Sequence, residues 1–150
     1  MRVEFEMLGD VQFSRDLLKY GDRGADLSPA FGVIADDWVD WNQKQFDTEG
    51  FRGSGGWDGL APSTVRTRGN AHPILQVTGA LLRELTDKSN IEIQHNFMHL
   101  MIPDEQNEYG RFHQSGTSRM PRRRPIEFTD LDRKSMVKTI QRYLETGVAA

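Results

Sequence analysis

Residues 28–48 read SPAFGVIADDWVDWNQKQFDT and decide the fold, because they carry the strongest helical pattern in the chain. Ser28 is a favoured N-cap residue, and Pro29 takes the first helical position, where its missing N–H costs nothing. Apolar residues recur at helical spacing along one stripe: Phe31, Ile34, Ala35, Trp38, Trp41 and Gln45/Phe46. The pattern predicts a long helix over residues 29–48, with both tryptophans of the stripe in the core.

The surface of this helix is acidic, and the acidity belongs to the first third of the chain. Asp36, Asp37 and Asp40 lie outside the apolar stripe. Residues 1–50 hold five basic and eleven acidic residues, whereas residues 51–150 hold fourteen and eleven. A chain with an acidic part and a basic part can dock head-to-tail against its own copies. We therefore expect the three aspartates to form an acidic face at a subunit interface.

Two weaker elements precede the long helix. Val3–Leu8 alternates apolar and polar residues over four positions, which predicts a strand. Val11–Tyr20 predicts a short helix with Val11, Leu17 and Leu18 inward, and the glycines of residues 21–24 are expected to end it.

The elements after the long helix follow from capping and alternation signals. Thr78 is expected to cap a helix over residues 79–87, and Gly116 to end one over 109–115 after a polar loop at 103–108. Alternating residues predict a β-hairpin of 91–93 with 97–102. Further helices are expected at 63–68 and from Thr129, where Asp132 completes a capping box, to Gly147, with Met136, Val137, Ile140 and Leu144 on the inner face.

The predicted architecture is therefore α+β: a long central helix and a C-terminal helix packed with a small antiparallel β-sheet. At 150 residues the chain is expected to form one domain over 1–150. Two long loops interrupt it, a Gly-rich loop over 50–59 and an Arg-rich loop over 117–125.

Composition excludes several classes of protein. The chain has no cysteine, so it has neither a disulfide nor a thiol nucleophile. No uncharged stretch approaches the roughly 18 apolar residues that span a membrane, and the N-terminus lacks an apolar signal-peptide core. We expect no membrane association.

Catalytic and metal-binding patterns are equally lacking. The four histidines are His72, His95, His99 and His113, and none belongs to an HExxH or paired motif of the kind that zinc requires. The glycines of residues 53–56 lack the Lys-Ser/Thr of a P-loop, and no Gly-x-Ser-x-Gly elbow occurs. The sequence predicts no catalytic residue, no metal site and no cofactor.

The Arg-rich loop contains Arg119, Arg122, Arg123 and Arg124, without an acidic residue. These side chains can contact phosphates non-specifically, or pair with carboxylates of a neighbouring subunit such as the acidic face of the long helix. They can also be simply solvated. Pro121 and Pro125 stiffen the loop, which favours a fixed docking element, either a subunit contact or a surface facing a DNA channel.

The segment His113-Gln114-Ser115-Gly116 leads directly into this loop. A buried histidine can donate from one ring nitrogen and accept at the other. We expect His113, Gln114 and Gly116 to pin the incoming loop. The alternative is a direct contact of His113 or Gln114 with a partner subunit.

Several short segments stand in a fixed order between Trp41 and Leu144. They are Gly56-Trp57, Leu60, Ser63-Thr64, Ile74-Leu75, Thr78-Gly79-x-Leu81, Tyr109, His113-Gln114-x-Gly116, Pro121-x-Arg123-x-Pro125 and Tyr143-Leu144. In this order the chain resembles the phage virion morphogenesis family, the tail-completion proteins best known from Mu-like phages. It departs from the family pattern in placing Arg124 between Arg123 and Pro125, and Ile126 where the family has an aromatic residue.

The resemblance implies a non-enzymatic structural protein of a phage virion, a ring-forming tail-completion or neck component at the head–tail junction. It implies partners that include further copies in a homo-oligomeric ring and the neighbouring connector and tail proteins, together with non-specific contact with channel DNA. It places the protein in the virion, and in the host cytoplasm during assembly.

Three other functions stay open at this point. The chain can be a tail terminator or a head-side stopper or adaptor of the connector. It can be a non-specific nucleic-acid-binding module that uses the Arg-rich loop. A metal-dependent hydrolase is the third hypothesis, and it requires at least two of the four histidines to bind a metal ion.

Overall fold

The computed structural model describes residues 10–53, 55–101 and 104–149. Within these ranges the chain is α+β, as predicted, with six α-helices and one two-stranded antiparallel sheet. The helices are α1 (Asp10–Ala25), α2 (Ser28–Asp47), α3 (Pro62–Arg68), α4 (Ala80–Thr86), α5 (Asp104–Ser115) and α6 (Asp130–Thr146). A 3₁₀ turn, Lys88–Asn90, leads into β1 (Ile91–Ile93), which pairs with β2 (Met98–Leu100). The strand predicted at Val3–Leu8 lies outside the described residues.

The long helix α2 is confirmed to within one residue at each end, but its cap differs from the prediction. Ser28 is the first helical residue, and its backbone N–H and its hydroxyl both donate to Asp26 Oδ1, at 2.9 and 2.5 Å. The side-chain and backbone hydrogen bonds from Ser28, together with His95, lower the pKa of Asp26 to about 2. Asp26, placed two residues earlier, therefore takes the acceptor role expected of Ser28.

The core lies between α2, α4 and the loops that connect them. Its buried members are Trp38, Phe46, Trp57, Ile74, Leu75, Leu81 and Leu85. Trp38 Nε1 donates to the backbone carbonyl of Leu85 at 3.0 Å, so the indole joins α2 to α4 without an unpaired donor. Trp41, predicted to be buried, is only half-buried, and its ring edge faces Phe128 at 6.3 Å between ring centroids.

Helix α1 corrects two predictions. It continues through the glycines at 21 and 24 to Ala25, and its Leu17 and Leu18 side chains are exposed rather than inward. The C-terminal part of α1 packs on the C-terminal part of α6, where Arg23 Nη1 donates to the carbonyls of Leu144 and Glu145 at 2.7 and 2.6 Å. Arg23 thereby supplies a hydrogen-bond donor to carbonyls in the last turn of α6.

Helix α5 is longer than predicted. It begins at Asp104, so residues 104–108, which were predicted to belong to a loop, are helical. Acidic residues are favourable in the first turn of a helix, and Asp104 and Glu105 occupy these positions in the sequence. The polar composition that suggested a loop is equally that of a first helical turn.

Helix α6 confirms its capping box. Thr129 accepts from the Asp132 N–H, and the Asp132 carboxylate accepts from the Thr129 N–H at 2.7 Å. Gly147 ends the helix in the left-handed conformation. Of the four residues predicted on the inner face, Val137 is 53% exposed and faces solvent.

Replacing Leu85 by Ala tests this account of the core. Leu85 is 0% exposed, so Leu85→Ala should lower the free energy of unfolding by about 2–5 kcal/mol through lost transfer energy and a residual cavity. Leu131→Ala is the matched control because Leu131 is 75% exposed, and it should change stability by less than about 0.5 kcal/mol. Urea unfolding measures both; equal losses would contradict the assigned core.

Candidate functional site

The Arg-rich loop is anchored by a buried arginine. Arg123 is 4% exposed, and its Nε and Nη2 donate to the carbonyls of Asp58 and Gly59, each at 2.6 Å. Its backbone N–H donates to the carbonyl of His113 at 2.9 Å. A buried guanidinium needs such acceptors to offset its lost hydration. The guanidinium of Arg123 is therefore engaged inside the chain, and its expected contact with a partner subunit or channel DNA stays a prediction.

Arg124 is also held within the chain. Its backbone carbonyl accepts from Trp57 Nε1 and from Gln45 Nε2, both at 3.0 Å. Its guanidinium pairs with Glu127 at 3.0 Å and is one-third exposed. The carbonyl therefore joins the loop to α2 and to the Gly-rich loop, and the charge of the side chain is already partnered.

The residues expected to pin the loop lie against it. Gln114 makes two hydrogen bonds with the backbone of Ile126: Nε2 donates to the carbonyl at 2.9 Å, and Oε1 accepts from the N–H at 3.3 Å. Gly116 has φ +73°, and a Cβ there would lie 3.0 Å from the Arg122 backbone nitrogen. Only glycine fits both the left-handed turn and this close approach. His113 binds the loop through its carbonyl rather than through its ring.

The His113 ring is buried against Tyr109 and does not bind the loop. It is 5% exposed, the Tyr109 ring meets it edge-on with 4.5 Å between centroids, and its Nδ1 has no hydrogen-bond partner among the described residues. Burial, and secondarily the charge of Arg123, lower the pKa of His113 below its ordinary value of 6.5. Both effects disfavour the charged imidazolium, because a second cation beside a buried guanidinium is unfavourable.

Two arginines of the loop remain available. Arg119 and Arg122 are exposed. A turn closed by two backbone hydrogen bonds between Thr117 and Met120, at 2.9 and 3.3 Å, carries Arg119 at its tip. Among the described residues neither side chain has an ion-pair partner. The structure thus divides four arginines that look alike in sequence into two internal and two external ones.

The acidic face on α2 is separate from the Arg-rich loop within one chain. Asp36 pairs with Lys88, and Asp40 pairs with Lys44. Partial burial, and then repulsion from Asp40 and Asp36, raise the pKa of Asp37. No hydrogen bond or ion pair connects this face to Arg119–Arg124 in the part of the chain that the structure describes.

Sequence reasoning missed the role of the Gly-rich loop as the other half of the anchor. Trp57 is 8% exposed and packs against Gly50, where a Cβ would collide with the indole ring. Glu49 Oε1 accepts from the Ile74 N–H at 2.8 Å, and Oε2 lies 2.7 Å from His72 Nδ1. The Gly-Trp dipeptide in a glycine-rich stretch was the available signal for a loop that closes on an aromatic ring.

Arg52 forms an ion pair that the sequence did not indicate. It pairs with the nearly buried carboxylate of Asp132 and lies 5.7 Å from the centroid of the Trp41 ring. Burial acts to raise the pKa of Asp132, but hydrogen bonds from Arg52 and Thr129 outweigh it, so this pKa lies below the ordinary value. The pair fixes the Gly-rich loop to the start of α6.

A cleft of about 570 Å³ opens beside the anchored loop. Its lining comprises Gly59, Leu60, Ala61, Thr64, Arg68, Leu75, Val77, Tyr109, His113, Arg119, Met120, Pro121 and Arg123. Among the described residues the lining is largely apolar, and it contains three arginines. A volume of this size is within the usual range for ligand clefts.

Two other kinds of site are lacking in the part of the chain that the structure describes. No group of three or more His, Cys, Asp or Glu side chains is arranged to hold a metal ion there. None of the helices in the described ranges is both long and apolar enough to span a bilayer.

Comparison with protein-family models, with curated proteins and with solved structures gives no match to this chain.

Replacing Arg123 tests the anchor. Arg123→Ala should lower the free energy of unfolding by about 3 kcal/mol, since hydrogen bonds from a charged group contribute roughly 1.5–3 kcal/mol each. Arg122→Ala is the matched control because that side chain is exposed, and its effect should stay below about 0.5 kcal/mol. Chemical unfolding measures both, and equal effects would show that Arg123 is not the anchoring residue.

The lowered pKa of His113 gives a pH signature. Below 6.5 the unfolded state takes up a proton that the folded state resists, so wild-type stability should decline as the pH falls through that value. His113→Gln should remove this part of the decline, whereas the exposed control His99→Gln should retain it. Unfolding free energies across this pH range decide the matter; parallel curves for wild type and His113→Gln would contradict the assignment.

Proposed function

We propose that this protein is a ring-forming tail-completion or neck component of a phage virion, without catalytic activity. The observation that carries the proposal is spatial. Segments that resemble the tail-completion family are scattered between Trp41 and Leu144 in the sequence, yet many of them pack against one another in the fold.

The contacts between these segments are specific. Arg123, from the Pro121-x-Arg123-x-Pro125 segment, binds carbonyls directly after Gly56-Trp57, and its N–H binds the His113 carbonyl. Ile74 and Leu81, from two further segments, are buried in the same core as Trp57. These contacts support a shared structural task for the segments.

The charged surface of the chain is compatible with a repeating assembly. Arg119 and Arg122 are exposed on the Arg-rich loop, and Asp36, Asp37 and Asp40 lie apart from it on α2, where Asp36 pairs with Lys88 and Asp40 with Lys44. Complementary patches at different places on one chain produce heterologous contacts, which close into rings when the rotation between copies allows it. Many modest contacts around such a ring give avidity without one tight site.

The test is the mass and shape of the purified protein at low and physiological salt, with and without DNA, by light scattering and electron microscopy. A salt-sensitive equilibrium between monomer and ring, unchanged by DNA, is the expected outcome. The double variant Arg119→Ala/Arg122→Ala should shift it to the monomer. The control Arg66→Ala/Arg142→Ala removes the same charge from exposed sites outside the loop and should not.

A monomer that binds DNA would contradict the proposal. In that case the logarithm of the affinity would fall with the logarithm of salt concentration, with a slope of about −0.9 per phosphate contacted. Loss of that slope in Arg119→Ala/Arg122→Ala would then identify a nucleic-acid-binding module instead.

A further inference from the structure

Phe51 is an exposed aromatic residue that the Gly-rich loop holds in a defined position. It is 73% exposed, although its N–H donates to the Thr48 carbonyl at 3.1 Å. Its ring lies over Gly56, where a Cβ would come within 2.9 Å of two ring atoms. The next residue, Arg52, pairs with Asp132. Aromatic side chains are frequent anchors of protein interfaces, and one that is fixed beforehand loses little entropy when a partner covers it.

Strained backbone occurs both beside Phe51 and in the cleft next to the Arg-rich loop. Glu49, with φ +48°, and Leu75, with φ +60°, are the two described residues other than glycine that have a positive φ. Glu49 precedes Phe51 by two positions, and Leu75 belongs to the lining of the cleft. Residues in this conformation cluster at binding sites, where the surrounding structure imposes it. The strain therefore points to the same two places as candidates for a contact.

Glu49 also joins these two places within one chain. Its carbonyl accepts from the Trp57 N–H at 2.7 Å, and its Oε1 accepts from the Ile74 N–H at 2.8 Å, directly before Leu75. Phe51 is not among the described residues that line the cleft. The two places are thus separate on the chain but are held by a common residue. A ring requires contact sites whose relative placement is the same in every copy.

The lining of the cleft suits an aromatic occupant. Leu60, Leu75 and Val77 contribute apolar surface, and Val77 is itself 70% exposed, so a bound side chain has surface to cover. The Tyr109 ring and the Arg119 guanidinium belong to the same lining. Aromatic rings pack favourably on one another, and a guanidinium interacts favourably with the face of a ring. A volume of about 570 Å³ accommodates a phenyl ring.

Exposed charges of opposite sign accompany Phe51 and the cleft. Asp47, the last residue of α2, stands four positions before Phe51 and is exposed. Arg119 is exposed in the lining of the cleft. Among the described residues neither Asp47 nor Arg119 has an ion-pair partner. A pair between Asp47 of one copy and Arg119 of another would fix the orientation of a contact that the aromatic ring anchors.

We propose that Phe51 of one copy inserts into the cleft of a second copy, against Val77 and Tyr109, with Asp47 of the first copy paired with Arg119 of the second. The inference rests on the proposed ring, for which it supplies the contact between neighbours. A projecting ring and a cleft at different places on one chain produce a heterologous, head-to-tail contact.

Photocross-linking tests this contact in the full-length protein. Benzoylphenylalanine replaces Phe51 in chains labelled with heavy nitrogen, which are mixed with unlabelled chains and irradiated. Mass spectrometry should find the labelled peptide of position 51 joined to an unlabelled peptide that contains Val77 or Met120. The matched control carries benzoylphenylalanine in place of Tyr20, an exposed aromatic residue on α1, and should give several-fold less of this product.

A mixture of two variants tests the head-to-tail order. Phe51→Ala removes the ring and Val77→Glu places a charge in the cleft, so each variant alone should remain monomeric. Mixed in equal amounts, they should form a one-to-one heterodimer and nothing larger, because only Phe51 of the Val77→Glu chain meets an intact cleft. Both positions are highly exposed, so near-wild-type unfolding curves are expected.

Charge reversal tests the ion pair. Asp47→Arg and Arg119→Glu should each weaken assembly several-fold, measured as the fraction of ring by light scattering. Both substitutions in the same chain should restore assembly, because every contact then holds the reversed pair. Losses that persist in the double variant would remove this pair from the proposal.

Three results would overturn the docking of Phe51. They are a yield between chains no higher than that of the Tyr20 control, a cross-link confined to one chain, and a variant mixture that stays monomeric. If wild type and Phe51→Ala form rings of the same mass, the docking fails while the proposed function stands. If wild type forms no ring but the cross-link between chains is specific, the docking stands and the proposed ring fails.

Discussion

The packing of the two long loops depends on the buried charge of Arg123. The guanidinium of Arg123 leaves water only because the carbonyls of Asp58 and Gly59 both point at it, each at 2.6 Å. A cation without such acceptors would be far too costly to bury. The Gly-rich loop therefore has to reach the Arg-rich loop, and α5 has to end where the His113 carbonyl can accept from the Arg123 N–H. Three segments distant in sequence are placed by a single side chain and its backbone.

The hydrogen bonds around this anchor spread its effect into the core. The carbonyl of Arg124 accepts from the Trp57 indole and from Gln45 of α2, so a displacement of the Arg-rich loop would unpair two largely buried donors. Trp57 in turn packs edge-on against Phe46, with 5.2 Å between ring centroids. The part of the loop at Arg123 and Arg124 is therefore tied to the core by several hydrogen bonds, whereas Arg119 lies on the exposed turn before it.

The elements that depend on residues close together in the sequence could be predicted from it, whereas features that depend on distant residues could not. The α2 stripe, the Thr129 capping box and the β-hairpin rest on residues a few positions apart, and the sequence predicted each of them. The start of α5 was missed because acidic residues suit both loops and first helical turns. The fate of the four arginines could not be predicted, because acceptors about sixty-five positions away select Arg123 for burial and leave Arg122 exposed. Leu17 and Leu18 on α1 follow a helical pattern, but that helix packs on α6 near its C-terminal end, so no core reaches them.

The contacts that Arg123 and Arg124 make within the chain also limit the kind of interface that the Arg-rich loop can form. Arg123 is buried and Arg124 is paired with Glu127, so a uniformly basic loop that grips phosphates is reduced to two free guanidiniums. Two exposed charges give little non-specific affinity for DNA, because that affinity scales with the number of phosphates neutralised. Two exposed charges suit a contact between subunits in which the charges set the orientation rather than supply most of the affinity. In the proposed assembly such a contact recurs between every pair of neighbours, so modest affinity at each contact is sufficient to hold a closed ring.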